Sequence, residues 1–209
     1  MWIVVCAVGV SIALTGERYS RRLLCAAGKL IAASAYLAAA WSAGAADTHY
    51  GQILLLGMVF CWMGDLFLVS NQSRTLFLLG LVSFLLGHLA YVGAFAARGV
   101  SWPVAVGAGL AMVIFAWSVL RWLKPHLDRR MRRPVWLYVG AISTMMAMAA
   151  GAGVIDGNWL IPLGALLFLL SDLAVARDRF IAPGFINRAW GLPMYFCGQM
   201  VLAASVAYV

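Results

Sequence analysis

Eight long apolar runs alternate along the chain with short polar breaks, at about 1–15, 22–42, 51–70, 75–97, 101–122, 134–153, 159–176 and 188–208. A helix crossing a bilayer needs roughly 20 such residues. The runs are continuously apolar instead of alternating at every second position, which predicts helices and excludes an outer-membrane barrel. Pro103 and Pro134 stand near the predicted starts of the fifth and sixth runs, where a missing backbone donor does little harm. No stretch between runs reads as a linker or soluble domain. The expectation is an all-α polytopic membrane protein of eight transmembrane helices, one integral membrane domain over 1–209. The first run has no basic segment before it and a positive cluster after it, so it reads as a retained span and not a cleaved signal.

Composition agrees. The chain is 65% hydrophobic and 11% charged, with a mean hydropathy of +0.94, too little polar surface for a soluble fold of this size. The net charge of +8 does not point to nucleic acid, because the basic residues stand at the ends of apolar runs. Of the 15 Lys and Arg residues, 14 fall in or beside the odd-numbered loops, and only Arg98 falls on the other side. Positive loops stay cytoplasmic, so both termini are expected outside, with the chain crossing the cell's inner (cytoplasmic) membrane several times. Cys6, Cys25, Cys61 and Cys197 lie in apolar stretches without paired spacing and imply neither a disulfide framework nor a zinc site.

Against this background a few polar positions stand out. An ionisable side chain in hydrocarbon costs roughly 2.5–3.5 kcal/mol even on lenient scales, so it is a functional candidate by default. Asp65 and Asp172 are each preceded by a glycine eight positions earlier, Gly57 and Gly164, and each is followed by Leu. GLVSFLLGH (Gly80 to His88) aligns with GLPMYFCGQ (Gly191 to Gln199), matching Phe84 with Tyr195, Gly87 with Gly198 and His88 with Gln199. Helices three and four therefore resemble seven and eight. An offset of four helices preserves orientation, giving a parallel tandem repeat of about 1–98 and 99–209.

The repeat would set Asp65 and Asp172 facing each other at one depth, four to six residues from the cytoplasmic ends of their helices, or roughly 6–9 Å in at 1.5 Å per residue. Two carboxylates in one partly dry site do not readily both ionise, so one can act as acid while the other acts as base. Lys29 is either a snorkelling residue or a counter-charge for an aspartate or a phosphate. His88 and Tyr91 share a helix face, as do Tyr195 and Gln199, suggesting polar linings. Asn71 and Asn187 are loop-side residues with weaker claims. No nucleophile elbow, Cys/His ligand spacing or phosphate-binding glycine loop is present.

The order of Lys29, Gly64-Asp65-Leu66-Phe67-Leu68, Gly80-Leu81, Phe84, His88, Tyr91, Ser171-Asp172, Tyr195 and Gln199 resembles the YhhN-like lysoplasmalogenase family, from about residue 29 to the C-terminus. That resemblance implies an eight-helix hydrolase that cleaves the vinyl-ether bond of lysoplasmalogens. Its products would be a fatty aldehyde and glycerophospho-ethanolamine or -choline. Its partners would be lysophospholipid and membrane lipid, with no cofactor, metal or nucleic acid. Enol-ether cleavage needs one protonated acid and one carboxylate, and Asp65 and Asp172 would supply them. Lys29 would hold the phosphate, while Asn71, His88, Tyr91, Tyr195 and Gln199 would position substrate and water. A proton-coupled transporter would use paired intramembrane carboxylates equally well. A lipid-binding structural protein would use them as helix glue.

Overall fold

The computed structural model describes residues 1–69 and 73–208. Over these it has eight α-helices and no strands: α1 Trp2–Arg18, α2 Arg22–Ser42, α3 His49–Phe67, α4 Arg74–Arg98, α5 Trp102–Leu123, α6 Arg129–Gly153, α7 Leu160–Phe180 and α8 Phe185–Ser205. Seven of them, all but α1, are long and apolar enough to cross a membrane. The protein is a helical polytopic membrane protein. Leu23, Val82, Leu110, Ile114, Leu137 and other large apolar side chains point outward, which suits a lipid-facing surface. Trp41, Trp102 and Trp159 are exposed beside helix ends, where indole rings sit at headgroup level.

The helices pack as four consecutive hairpins, α1–α2, α3–α4, α5–α6 and α7–α8, joined where α2 meets α3 and α8, α4 meets α6, and α6 meets α7. Lipid tails are as apolar as leucine, so close packing of small residues replaces the hydrophobic drive between these helices. In α3–α4, a Cβ on Gly57 would lie 3.1 Å from the Gly87 carbonyl oxygen, and one on Gly87 would lie 3.2 Å from that of Gly57. In α7–α8, a Cβ on Gly164 would lie 3.0 Å from the Gly198 oxygen, and one on Gly198 would lie 2.9 Å from that of Gly164. Both crossings exist because neither partner has a side chain. The α1–α2 hairpin is closed in the same way, since a Cβ on Gly9 would meet the Ala32 nitrogen at 2.6 Å.

Two helix boundaries differ from the sequence reading by more than three residues. Helix α6 starts at Arg129 instead of 134, because Met131, Val135 and Val139 form a buried stripe at four-residue spacing. This stripe packs with Phe77, Val119, Leu123 and Leu127, so the arginines between are the polar face of a helix and not a loop. Pro134 consequently lies inside the helix. Helix α7 continues to Phe180, whose ring packs edge-on against Phe77 with centroids 6.1 Å apart. The aspartates are accordingly not equidistant from their helix ends. Asp65 stands two residues before α3 ends at Phe67, and Asp172 eight before α7 ends at Phe180.

The ends of the bundle are built differently. At one, the Tyr50 hydroxyl lies 2.6 Å from Ser205 Oγ, and Asn158 donates to the Ser205 carbonyl at 3.0 Å. There the Arg98 guanidinium reaches Asp156 at 3.3 Å and the Tyr208 carbonyl at 2.9 Å. At the other end the helices enclose a cavity.

Candidate active site

The cavity has a volume of about 310 Å³. Asp65, Asp172, Tyr138, Tyr195 and Ser171 line its inner part. Phe77, Leu81, Phe115, Val119, Val135, Val139 and Ile142 form an apolar wall. Glu17, Lys29, Asp178, Arg179, Asn187 and Arg188 surround its polar end. An apolar body with a charged rim is the shape of a site for a single-chain amphiphile.

Asp65 is buried at the end of α3 and accepts a hydrogen bond at Oδ2 from the Tyr195 hydroxyl of α8, at 2.7 Å. A relay stands behind this bond. Tyr91 of α4 donates to Gln199 Oε1 at 2.7 Å, Gln199 Nε2 lies 3.5 Å from the Tyr195 oxygen, and the Tyr36 hydroxyl of α2 lies 3.4 Å from it. Tyr195 and Gln199 are one helical turn apart, so one face of α8 carries both links. Four helices thus fix the orientation of a single carboxyl group, leaving it little freedom to reorganise during a reaction.

Asp172 of α7 is held from the opposite side. Tyr138 of α6 donates to its Oδ2 at 2.8 Å, and His88 Nε2 of α4 lies 3.6 Å from the same oxygen. His88 is fully buried, and among the described residues no side chain completes a hydrogen bond to either ring nitrogen. Its ring is clamped edge-on by Tyr138 and Phe168, at centroid distances of 5.1 and 4.7 Å. Phe168 also packs against Tyr195 at 5.2 Å, so one phenyl ring spaces the two carboxylate assemblies.

At the polar end, Glu17 collects three donors. Lys29 Nζ lies 3.5 Å from its Oε1, Cys25 Sγ donates to the same oxygen at 3.0 Å, and Arg188 binds Oε2. The Arg188 Nε is held by Asp178 Oδ2 at 3.1 Å. The α1–α2 hairpin brings Glu17 and Lys29 together, while α7 and α8 bring Asp178 to Arg188.

Sequence-derived candidates divide between these layers. Asp65, Asp172, Lys29 and Tyr195 line the cavity. His88, Tyr91 and Gln199 are fully buried behind it, where they touch the residues that line it. Asn71 lies outside the described residues. Lys29 pairs directly with Glu17, and its charge also reaches Asp65. Asn187, buried in the first turn of α8, bonds the Ala182 carbonyl at 2.7 Å and closes the end of α7. Tyr36, Tyr138, Glu17 and Arg188 were not singled out in the sequence. A tyrosine inside an apolar helix reads as packing, and a Glu among arginines reads as a solvated helix end. No group of three His, Cys, Asp or Glu among the described residues is placed to hold a metal ion.

The sequence model of the YhhN family matches residues 23–206. Lysoplasmalogenase TMEM86A of Bos taurus is 34% identical over 158 residues, covering 73% of this chain and 64% of that protein. Lysoplasmalogenase TMEM86B of Homo sapiens is 30% identical over 156 residues, covering 75% and 64%. A lysoplasmalogenase of Mycobacterium tuberculosis (strain CDC 1551 / Oshkosh) is 31% identical over 137 residues, covering 64% of this chain and 51% of that protein. The chain thus spans slightly under two thirds of the first of these relatives. No solved structure matches it.

Proposed function

Because the chain belongs to the YhhN family, we propose that it is a membrane-embedded lysoplasmalogenase whose reacting groups are Asp65 and Asp172. The observation that carries this reading is the pair itself. Two aspartates from different helices line one amphiphile-shaped cavity, each oriented by a tyrosine hydroxyl. The names of the relatives supply the reaction.

In the proposed route, one carboxylic acid delivers its proton to the vinyl carbon remote from the ether oxygen, leaving an oxocarbenium ion at the adjacent carbon. The second carboxylate takes a proton from water as that water attacks the cation, giving a hemiacetal. The hemiacetal collapses as the ether C–O bond breaks and the glycerol oxygen gains a proton, releasing aldehyde and alcohol. Each aspartate is returned to its starting state by proton exchange with solvent. The chemistry is general acid–base throughout, contributing about 10²–10⁴ per group. Tyr195 and Tyr138 hold the carboxyl groups in place. Lys29 neutralises phosphate charge, and His88, Tyr91 and Gln199 support the tyrosines and Asp172 from behind.

The same reading includes the architecture. The chain is one integral membrane domain built as a parallel repeat of about 1–98 and 99–209. Adding four to each helix number carries α1–α2, α2–α3, α3–α4 onto α5–α6, α6–α7, α7–α8, and α4–α6 onto α8–α2, while the α1–α8 contact has no equal between α5 and α4. The reciprocal glycine crossings agree with this, as do Tyr36 and Tyr138 on α2 and α6. With 14 basic residues at one side, both termini face away from the cytoplasm in a cytoplasmic membrane, and the cavity's polar end opens inward. A transporter reading needs a second opening. The cavity lining includes none of Tyr50, Arg98, Asn158 and Ser205, which tie the opposite end together.

The deciding experiment supplies purified protein with lysoplasmenylethanolamine and measures released aldehyde. Absence of release from folded protein rejects the reading.

A further inference from the structure

We infer that Glu17, with Arg188 and Asp178, forms a headgroup subsite that selects lysolipids carrying a primary ammonium beside the phosphate. The inference rests on the lysoplasmalogenase reading for its substrate class, but it is drawn from Glu17, Arg188 and Asp178, to which that reading gives no role, set around Lys29. Glu17 and Lys29 have side chains only 8% and 12% exposed, yet both line the cavity. They form a mixed-sign cluster with Arg188 and Asp178. Beside the cations Lys29, Arg179 and Arg188, which suit a phosphate, the cluster holds the carboxylates Glu17 and Asp178, so it offers partners to both charges of a zwitterion. A charged set at this depth is costly unless its members are paired, and here Glu17, Lys29, Asp178 and Arg188 each are.

Position along the helices suits the task. Asp178 stands six residues beyond Asp172 on α7, and Arg188 seven before Tyr195 on α8. The spacings amount to roughly 9–10.5 Å of helix, comparable to the reach of a glycerophospho headgroup from its first carbon. The cluster can therefore meet the headgroup while the carboxylate pair meets the ether bond.

Binding would proceed by exchange of partners. The Arg188 Nε bond to Asp178 acts as a pivot while its other nitrogens turn from Glu17 to the substrate phosphate, joined by Lys29. Glu17, released from both cations, receives the substrate ammonium. The two cation contacts that Glu17 loses are remade on the phosphate, so selectivity depends on whether the incoming amine can replace the donors lost at Glu17. An ethanolamine ammonium has N–H groups to offer and choline has none. Quaternary ammonium is recognised by aromatic cages, whereas the groups bound to Glu17 are Lys29, Cys25 and Arg188.

The test measures kcat/KM for lysoplasmenylethanolamine and lysoplasmenylcholine with wild-type protein, Glu17→Gln and Glu17→Asp. Gln keeps an acceptor for Cys25 and Arg188 but removes the charge. The ethanolamine-to-choline ratio should fall about tenfold or more in Glu17→Gln, the scale of one charge-assisted hydrogen bond, chiefly through KM, and Glu17→Asp should restore part of it. A ratio unchanged in folded Glu17→Gln overturns the inference and leaves the hydrolase reading standing. A separate arm measures wild-type binding of saturated 1-O-alkyl lysolipids, which have no cleavable vinyl ether. Tighter binding of the phosphoethanolamine form than of the phosphocholine or the amine-free phosphate form supports the subsite even if no vinyl ether is cleaved. Equal binding of the three rejects it, and so does failure to bind any.

Discussion

Tyr138 and Asp172 meet across the α6–α7 contact, the phenol hydroxyl 2.8 Å from Oδ2, as Tyr195 and Asp65 meet between α8 and α3 at 2.7 Å. Each tyrosine stabilises one orientation of its carboxyl group and donates to it. Tyr138→Phe and Tyr195→Phe remove only the hydroxyl. Each should lower kcat/KM for vinyl-ether cleavage about 10- to 100-fold, the range of a hydrogen bond to a charged group. Steady-state aldehyde release measures it, and an effect under twofold in either variant would argue against carboxyl positioning there.

Replacing a reacting carboxyl should cost more. Asp65→Asn and Asp172→Asn keep volume and most hydrogen bonding but lose the transferable proton and the charge. Turnover should drop about 10²–10⁴-fold in each. The double variant should be little worse than the poorer single, because groups acting as a unit are not additive. Near wild-type release by a folded single variant would remove the pair from the chemistry.

A coupled acid and base give a bell-shaped pH profile whose limbs belong to the pair. Rate falls toward low pH as the base is protonated and toward high pH as the acid is lost. His88 lies 3.6 Å from Asp172 behind the cavity surface, so His88→Gln should lower the rate while keeping both limbs. Disappearance of a limb in that variant would make the histidine one of the two titrating groups.

How much of this was legible beforehand follows from what a single sequence carries. Apolar run length gave the helices, and cost in hydrocarbon singled out Asp65 and Asp172. The start of α6 was not legible because Arg129–Arg133 and Pro134 imitate a loop, and the stripe of Met131, Val135 and Val139 acquires meaning only against Phe77 and Leu123. Tyr138 was overlooked because its partner is 34 positions away on another helix. Glu17 was overlooked because its burial depends on α8 lying against α1.

The glycine crossings predict a stability pattern. A methyl at Gly198 would lie 2.9 Å from the Gly164 oxygen and 3.1 Å from the Phe168 nitrogen, and backbone at that distance cannot turn aside. Gly198→Ala should destabilise by about 1–3 kcal/mol and spread α7 from α8, lowering turnover as well. A methyl added at Gly107 would meet no described atom within 4 Å, so Gly107→Ala should leave the melting temperature in detergent unchanged or raised. Similar losses in both would sever the link to the crossing.

Topology is checked by labelling single cysteines introduced at Arg130 and Asp156 in a background without the native thiols. A membrane-impermeant maleimide should reach position 156 in intact cells and position 130 only after permeabilisation. The reverse pattern would invert the assigned orientation.

The α1–α2 hairpin, closed at Gly9 against Ala32, carries Glu17 into the cavity from a helix that lies before the family match begins at residue 23. The aspartates and their tyrosines all lie within that match. Of the proposed headgroup set, Glu17 alone stands outside that match, while Lys29, Asp178 and Arg188 lie within it beside the bond-breaking residues. On the proposed reading, a change at this one position of the first helix shifts the lipid preference and leaves the bond-breaking residues in place.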